Sequence, residues 1–396
     1  MRLKVVASLS LITFFAAFCS ASYAQTFSLL HTFTCGWDGC GPDSGVTLKD
    51  GTLYVTTQNG GNPQYWDGTV DQITHVGSNW LTTPILSFST GGNNPEARVL
   101  FGPDGLLYGT TSDAGINNAG VFFSLAPPVS ICSSAMCFWT ENVLYSFKGA
   151  PEGDGSGGNG FGDLVWDQQG NVYGATPLGG TPNRGTVYKL TKSGDSWAET
   201  LLHVFSGPDG YLPLGGVVLD NSGNVFGTTM YGGSKNVGTV FELKYVVGVG
   251  WTETILHSFQ NGSDGAQPFG GLTWDASGNL YGSTTAGTIF ELSPSGESWT
   301  YKIIYTIPGP TFSCGPEANL TIDAAGDIYG TTYCAGAYAY GNVFKLTNTG
   351  NGWQYLSLHD FTRGDDGAYP RSNVTIDTDG TLYGTTLWGT VWMIKP

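Results

Sequence analysis

The chain is poor in charged residues and poorer still in basic ones. Only 12% of its 396 residues are charged, with 15 Lys and Arg against 31 Asp and Glu and a net charge of −16. A surface with that balance repels nucleic acid and anionic lipid. No apolar run of about 18 residues follows residue 24, which excludes a membrane helix there. The 61 glycines make the chain too rich in turns for a helical fold.

Familiar catalytic signatures are also missing. The sequence contains no G-x-S-x-G elbow, no H-E-x-x-H pair and no phosphate-binding loop. Any activity must therefore come from residues that no short motif marks.

Residues 1–24 have the pattern of an export signal. Arg2 and Lys4 precede an apolar run to residue 18, and the small residues Ser22 and Ala24 occupy the two positions that a signal peptidase reads for a cut after Ala24. We expect this segment to be removed and residues 25–396 to form one secreted or periplasmic domain. A lipid anchor on Cys19 is the alternative, but the bulky residue before it disfavours lipidation.

Six cysteines follow the leader, and an even number in an exported protein favours disulfides over metal ligands. A zinc site at the first two is the alternative, which the lack of an adjacent histidine disfavours. The spacing suggests three bonds, although other pairings remain open: Cys35–Cys40, Cys132–Cys137 and Cys314–Cys334.

A five-residue motif of the type L-Y-G-T-T recurs seven times, at intervals of 48 to 65 residues. Five of the seven copies follow a short run and a D-x-x-G turn, which together predict a hairpin. A third run begins at a glycine. A fourth carries a Trp six residues before a His, Tyr or Leu, an even spacing that predicts both side chains on one face of a strand. The motif's aromatic residues are Tyr54, Tyr108, Tyr173, Phe226, Tyr281, Tyr329 and Tyr383.

Seven units of four strands, with no helical pattern between them, predict an all-β, seven-bladed β-propeller of four-stranded blades. The last unit stops after its third strand, at residues 389–394. Residues 26–33 carry His31 and Phe33 in the register of His257 and Phe259. We therefore expect the N-terminal strand to complete the last blade and close the ring.

The pattern D-x-x-G-N-L-Y-G-T-T, followed by G-T-V-F-E-L, resembles the Gloeobacter–Verrucomicrobia (GloVer) tandem repeat of exported bacterial proteins. The resemblance covers residues 26–396 and supports export, but it implies no catalytic residues. A looser similarity, through D-x-x-G-N-L-Y, links the chain to gluconolactonase-like and strictosidine-synthase-like propellers at the level of fold.

Several repeated polar residues are interpreted as structural. The four histidines at one repeat position are replaced by Leu or Tyr in other blades, which favours packing over catalysis. Each D-x-x-G turn supplies one carboxylate where calcium needs six to eight oxygens, which favours Asx turns. The Asp-Gly turns before prolines are interpreted in the same way, at Asp38, Asp209, Asp264 and Asp366.

A functional site is expected where the copies differ, on the face at which each first strand begins. The residue after the proline is polar in blades 6, 7, 1 and 2 (Glu317, Arg371, Asp43 and Glu96) and apolar in blades 4 and 5 (Leu214 and Phe269). In blade 3, where Gly160 replaces the proline, it is the apolar Phe161. Two residues later the polar set is Arg98, Asp163, Asn319 and Asn373. Loops on this face carry the candidate sugar-stacking residues Tyr65 and Trp66.

Three functions fit these residues. The first is an exported, monomeric binding protein that presents an acidic face to a glycan, peptide or envelope ligand, without a cofactor. The second is a carbohydrate-active hydrolase or lyase in which Glu96 and Glu317 form the acid/base or nucleophile pair, and Arg98 or Arg371 lowers the pKa of one of them. The third is a lactonase-like hydrolase with channel calcium on Asp43, Asp163, Asn319 and Asn373. A solvated rim with local ion pairs is the alternative to all three.

Overall fold

The computed structural model describes residues 25–89, 91–129, 137–149, 162–296, 298–308 and 314–396. These residues form 28 strands in seven four-stranded antiparallel sheets, and the described part of the chain contains no helix. The predicted seven-bladed, all-β propeller is confirmed. The leader, Cys132 and Phe161 lie outside the described residues.

Each blade takes four successive strands, the first of which borders the central channel. Blade 1 contains β2 (Thr47–Lys49), β3 (Thr52–Thr57), β4 (Thr69–Val76) and β5 (Asn79–Ser87). Blade 2 contains β6 (Leu100–Phe101), β7 (Leu107–Thr110), β8 (Val121–Ala126) and β9 (Thr140–Ser146). Blade 3 contains β10 (Val165–Trp166), β11 (Val172–Thr176), β12 (Thr186–Ser193) and β13 (Ser196–Val204). Blade 4 contains β14 (Val217–Leu219), β15 (Val225–Thr229), β16 (Thr239–Val246) and β17 (Gly250–Ser258).

The remaining blades follow the same order until the last. Blade 5 contains β18 (Thr273–Trp274), β19 (Leu280–Ser283), β20 (Thr288–Ser295) and β21 (Ser298–Thr306). Blade 6 contains β22 (Thr321–Ile322), β23 (Ile328–Thr332), β24 (Asn342–Asn348) and β25 (Trp353–Asp360). Blade 7 contains β26 (Thr375–Ile376), β27 (Leu382–Thr386) and β28 (Thr390–Lys395), with β1 (Thr26–Thr32) as its fourth strand.

The N-terminal strand closes the ring as predicted. Strand β1 pairs antiparallel with β28, with Phe27 opposite Ile394 and Thr32 opposite Thr390. The seam is also held near the channel, where the hydroxyl of Thr375 in blade 7 donates to the carbonyl of Val46 in blade 1 at 2.6 Å. Pairing with β1 covers the edge of β28 that would otherwise be open.

The hydrophobic core is divided into seven clusters, each lying between two neighbouring blades. The cluster between blades 7 and 1, for example, contains Val391 and Tyr383 together with Val46 and Leu53. Phe33, just after β1, is buried in the same cluster. Each blade is therefore stabilised by both neighbours.

The prediction that the Trp and the residue six positions later share one face is wrong. In blade 3, Trp197 packs in the cluster with blade 2, whereas His203 lies against Glu253 of blade 4. A register shift in the pairing of β12 with β13, between Val187 and Tyr188, inserts one extra residue into β13. This β-bulge reverses the alternation of faces, so the fourth strand contacts the preceding blade first and the following blade afterwards.

Four of the five D-x-x-G segments form the Asx turns that the sequence predicts, the exception being Asp377, whose carboxylate accepts from Thr378 instead. In blade 3 the Asp167 carboxylate accepts the backbone N–H groups of Gln169 at 2.9 Å and Asn171 at 2.8 Å. The Tyr173 hydroxyl of the repeat motif donates to the same carboxylate at 3.2 Å. The aspartate therefore ties the turn to the second strand.

The described cysteines include both disulfide-bonded and free thiol side chains. Cys314 and Cys334, on loops that open on the same face, form a disulfide. Cys35 and Cys40 are free thiols in contact with each other, which corrects the bond that their spacing suggested. Backbone hydrogen bonds, such as that from Cys35 N to Gly39 O at 3.1 Å, already close this turn. The equivalent turn at residues 260–265 forms without any cysteine.

Candidate ligand-binding site at the channel mouth

Asp43, Glu96, Glu317 and Arg371 are called here the channel mouth. The preceding blade positions three of these four residues through the first Thr of its T-T pair. Thr385 donates to the carbonyl of Ser44 at 2.7 Å, Thr56 to that of Ala97 at 3.0 Å and Thr331 to that of Ser372 at 2.8 Å. Each acceptor directly follows a mouth residue, so ring assembly fixes the backbone from which the mouth side chains extend.

Arg371 provides the positive charge of the channel mouth. Its Nε lies 2.8 Å from Oε2 of Glu317, whose side chain is 8% exposed. The guanidinium lies over the Tyr333 ring at 4.8 Å and near that of Phe269 at 5.7 Å. Burial raises the pKa of Glu317, and the charge of Arg371 opposes that shift. The predicted pairing of an arginine with a mouth carboxylate therefore occurs at Glu317.

Asp43 is the most deeply buried acid of the mouth, with 5% of its surface exposed. Its Oδ1 is buried and accepts no hydrogen bond from the described residues. Burial raises the pKa of Asp43 to about 6, and the charge of Arg371 partly opposes the shift. A buried carboxylate oxygen without a donor is costly, so a ligand that donates a hydrogen bond there would be favoured.

Glu96 completes the mouth from blade 2. Its Oε1 accepts a hydrogen bond from Gln58 Nε2 at 3.0 Å. Burial raises the pKa of Glu96 to about 7, and the negative charges of Asp43 and Asp113 add to the shift. Because the charge of Asp43 acts on both Glu96 and Glu317, the structure brings the three carboxyls into one electrostatic cluster.

The four polar residues placed two positions later lie deeper, around one channel cavity of about 340 Å³. Arg98 and Asp163 form an ion pair with Nη2 and Oδ2 2.6 Å apart. Asn319 Oδ1 accepts the backbone N–H of Gly271 at 2.6 Å. These residues therefore line the channel, and the charges of Arg98 and Asp163 neutralise each other there.

These residues do not fit a channel calcium ion. The positive charge of Arg98 lies beside the Asp163 carboxylate, and the side-chain oxygen of Asn319 already accepts a hydrogen bond from the Gly271 N–H. Calcium needs six to eight oxygens that converge on one point. We therefore derive no chemistry from a metal ion in the channel.

Aromatic side chains from three loops extend outward from Arg371. Tyr333 lies 5.0 Å from Tyr369 between ring centres, and Tyr369 lies 6.1 Å from Trp388. Arg363 covers Trp388 at 4.4 Å. Trp388 is 48% exposed and forms the outer end of this row. Tyr333, Tyr369 and Trp388 are called here the aromatic platform.

Sequence reasoning did not identify the aromatic platform. Its members occupy three different repeat positions. Tyr333 directly follows a T-T pair, Trp388 lies two residues after one, and Tyr369 precedes a proline. A search for aromatics within two residues after the T-T pair would have found Tyr333 and Trp388 but not Tyr369. The two predicted stacking residues, Tyr65 and Trp66, are 41% and 49% exposed on a separate loop of blade 1. The Trp66 indole N–H donates to Pro63 O at 2.8 Å, which holds the ring at the surface.

Comparisons with known proteins agree with this fold. Residues 138–306 match the model of the Gloeobacter/Verrucomicrobia repeat family. No curated protein matches the chain. In the described part of the chain, no helix has the length and apolar character to cross a membrane.

Similar solved structures are distant in sequence. The chain superposes on the extracellular domain of a putative one-component system from B. thetaiotaomicron with a TM-score of 0.52 and 12% identity, over 93% of this chain and 40% of that one. It thus spans less than half the length of that structure. The WD40 β-propeller domain of Doa1 gives a TM-score of 0.54 and 12% identity, over 93% of this chain and 97% of that one. At these identities the likeness concerns the fold alone.

Proposed function

We propose that this chain, whose residues 138–306 carry the Gloeobacter/Verrucomicrobia repeat, is an exported binding protein that takes a glycan at the channel mouth. The observation that carries the proposal is the buried Asp43 Oδ1, which accepts no hydrogen bond from the described residues. It lies within the electrostatic reach of Arg371, where the aromatic platform begins. A sugar hydroxyl would donate to Asp43 while the sugar ring stacks on the aromatics.

A glycan suits the mouth better than other polymers. Carboxyls with a raised pKa both donate and accept hydrogen bonds, which matches the dual character of sugar hydroxyls. Trp388, which is 48% exposed, is an aromatic ring of the kind on which the C–H faces of sugars stack, and Tyr333 lies at the inner end of the same row. The net charge of −16 disfavours polyanions. A neutral oligosaccharide is therefore the favoured ligand.

Two observations support export. The N-terminal 24 residues have the charge and hydropathy pattern of a cleaved leader. Two of the similar solved structures are of the extracellular domain of one B. thetaiotaomicron protein, described as a putative one-component or hybrid two-component system.

The proposal is tested by screening the purified protein on a glycan array and then titrating the best oligosaccharide by calorimetry. We expect Asp43→Asn to weaken binding about 10-fold, because the amide places an N–H₂ donor where the sugar hydroxyl donates. We expect Trp388→Ala to weaken it about 3-fold to 10-fold through lost stacking. Tyr245→Ala is the matched control, since Tyr245 is 60% exposed near the β16–β17 turn on the opposite face.

Three results would contradict the proposal. These are no glycan bound on the array, equal losses in the control and the mouth variants, and specific binding of peptides instead of glycans.

A second function is favoured by the contrast between two mouth carboxyls. Burial raises the pKa of Glu96 to about 7, whereas Glu317 is paired with Arg371. Glycoside hydrolysis uses two carboxyl groups whose surroundings separate their pKa values, and Glu96 and Glu317 would take these two roles. Hydrolysis is tested by incubating the oligosaccharide that binds with the wild-type protein and with Glu96→Gln and measuring product. Product from wild type alone assigns a hydrolase, and no product from either leaves a binding protein.

A further inference from the structure

Four blades contain a His–Asp pair on the outer part of the ring. In each pair the His Nε2 lies 3.1 Å from the Asp Oδ2. The following blade covers two of these histidines with an aromatic ring: Tyr301 stacks on His257 at 3.8 Å, and Phe27 stacks on His359 at 3.7 Å. The four pairs are His31–Asp38, His203–Asp209, His257–Asp264 and His359–Asp366.

The pair in blade 3 is different because blade 4 contributes a carboxylate. Glu253 occupies the strand position that Tyr301 has in blade 5, and its Oε2 lies 3.6 Å from His203 Nε2. One ligand atom from each of His203, Asp209 and Glu253 lies within 4.8 Å of the other two. Among the described residues this is the one such group of three His, Cys, Asp or Glu side chains. We call these three residues the inter-blade cluster.

Among the described residues, no Lys or Arg forms an ion pair with the two carboxylates of the inter-blade cluster. Glu253 has 11% of its side chain exposed, and its Oε1 is buried and accepts no hydrogen bond from the described residues. Burial and the charge of Asp209 raise the pKa of Glu253 to about 8. Burial lowers the pKa of His203, so the imidazole is disposed to be neutral, the form that ligates metals.

Two of the three separations between ligand atoms fit a metal ion, and the third, between Asp209 and Glu253, is within 4.8 Å. A tetrahedral site with bonds of about 2.1 Å has ligand atoms about 3.4 Å apart. The observed separations of 3.1 Å from His203 to Asp209 and 3.6 Å from His203 to Glu253 lie on either side of that value. Asp209 is already oriented, because its Oδ1 accepts the backbone N–H groups of Ser206 and Gly207, each at 2.9 Å.

We propose that His203, Asp209 and Glu253 bind one divalent transition-metal ion, with Zn²⁺ as the preferred ion, across the interface between blades 3 and 4. One imidazole nitrogen and two carboxylate oxygens suit zinc, and three protein ligands leave the fourth position for water. Calcium is disfavoured because it takes oxygen ligands. The ion ties β13 to β17 at the point where two other His–Asp pairs are covered by a stacked ring.

The test is calorimetric titration of chelator-treated protein with ZnCl₂. Because Cys35 and Cys40 are free thiols that also bind zinc, all variants carry Cys35→Ser and Cys40→Ser. We expect one Zn²⁺ per chain and a raised melting temperature. Glu253→Gln should weaken binding at least ~10-fold. Glu253→Tyr, which copies the neighbouring interface, should abolish binding and retain the fold.

Two substitutions at the equivalent His257–Asp264 pair serve as controls. His257→Ala removes the equivalent histidine from the ring-covered pair and should leave zinc affinity unchanged. Tyr301→Glu should create a second site at His257 and Asp264. The proposal is overturned if the parent protein binds no zinc, in which case the cluster is an ion triad only, or if the Glu253 variants bind as tightly as the parent.

Discussion

Asp71 is fully buried at a position that holds an aromatic ring in the other six blades. The Thr69 hydroxyl donates to one of its carboxyl oxygens, and the other accepts no hydrogen bond from the described residues. Val55 pairs opposite Asp71, where the other blades have glycine, and fills space that an aromatic ring would take. The aromatic residues at this position are Phe123, Tyr188, Phe241, Phe290, Phe344 and Trp392.

Asp71→Asn should make the protein more stable at high pH. Burial raises the pKa of Asp71 well above its usual range, so the wild type loses stability as the pH rises from about 3.9, where the unfolded carboxyl titrates. The amide has no charge to bury, and we expect a gain on the order of 1–3 kcal/mol at pH 8 that shrinks toward pH 4. Urea unfolding at several pH values measures it. A difference that does not vary with pH would contradict this explanation.

The sequence could identify the mouth residues but not their partners. Asp43, Glu96, Glu317 and Arg371 were found because they vary at one position of an otherwise regular repeat. Their pairing depends on which side chains meet across blades, and no repeat position encodes that. The His–Asp pairs left a readable signal, since His31, His203, His257 and His359 are each followed six or seven residues later by an aspartate.

Within a blade, the second and third strands fit together through glycine and an aromatic ring. In blade 5, Gly282 pairs with Phe290, and a Cβ at Gly282 would lie 2.4 Å from the end of that ring. The same clash occurs at Gly109, Gly227 and Gly330. The glycine of the repeat motif therefore makes room for the ring on the neighbouring strand.

Gly282→Ala should destabilise the protein by about 1–3 kcal/mol, because the added methyl group overpacks the Phe290 ring. Phe290→Leu removes the end of that ring. The double variant should then lose less stability than the sum of the two single changes, and chemical denaturation of all four proteins gives the coupling. Strictly additive losses would show that the two residues do not interact in this way.

Strand number and order were predictable because each strand carries its own motif, but side-chain facing in the fourth strand was not. An even spacing implies one face only while the strand stays regular. The bulge between Trp197 and His203 adds a residue whose presence depends on pairing with β12. Bulges of this kind leave no local signature in the sequence.

At the scale of the whole molecule, the ring depends on contacts between the two ends of the chain. Strand β1 pairs with β28, and Phe33 is buried between blades 7 and 1. The channel mouth spans the same seam, with Arg371 from blade 7 acting on Asp43 of blade 1. Ring closure therefore assembles both the fold and the candidate site.

Phe33→Ala should cost about 3–5 kcal/mol, because it empties a buried ring position at the seam. Leu29→Ala in the same N-terminal segment is the matched control, since Leu29 is 40% exposed and should change stability by no more than about 0.5 kcal/mol. Guanidinium unfolding of both variants measures the difference. Equal losses would mean that burial at the seam does not hold the ring closed.

A crystal structure of the protein with the best oligosaccharide from the array would locate the ligand. We expect a sugar ring stacked on Tyr333 or Trp388, with a hydroxyl within hydrogen-bond distance of Asp43 Oδ1. A sugar bound on the opposite face of the ring, or on the outer strands, would contradict the assignment of the channel mouth as the binding site.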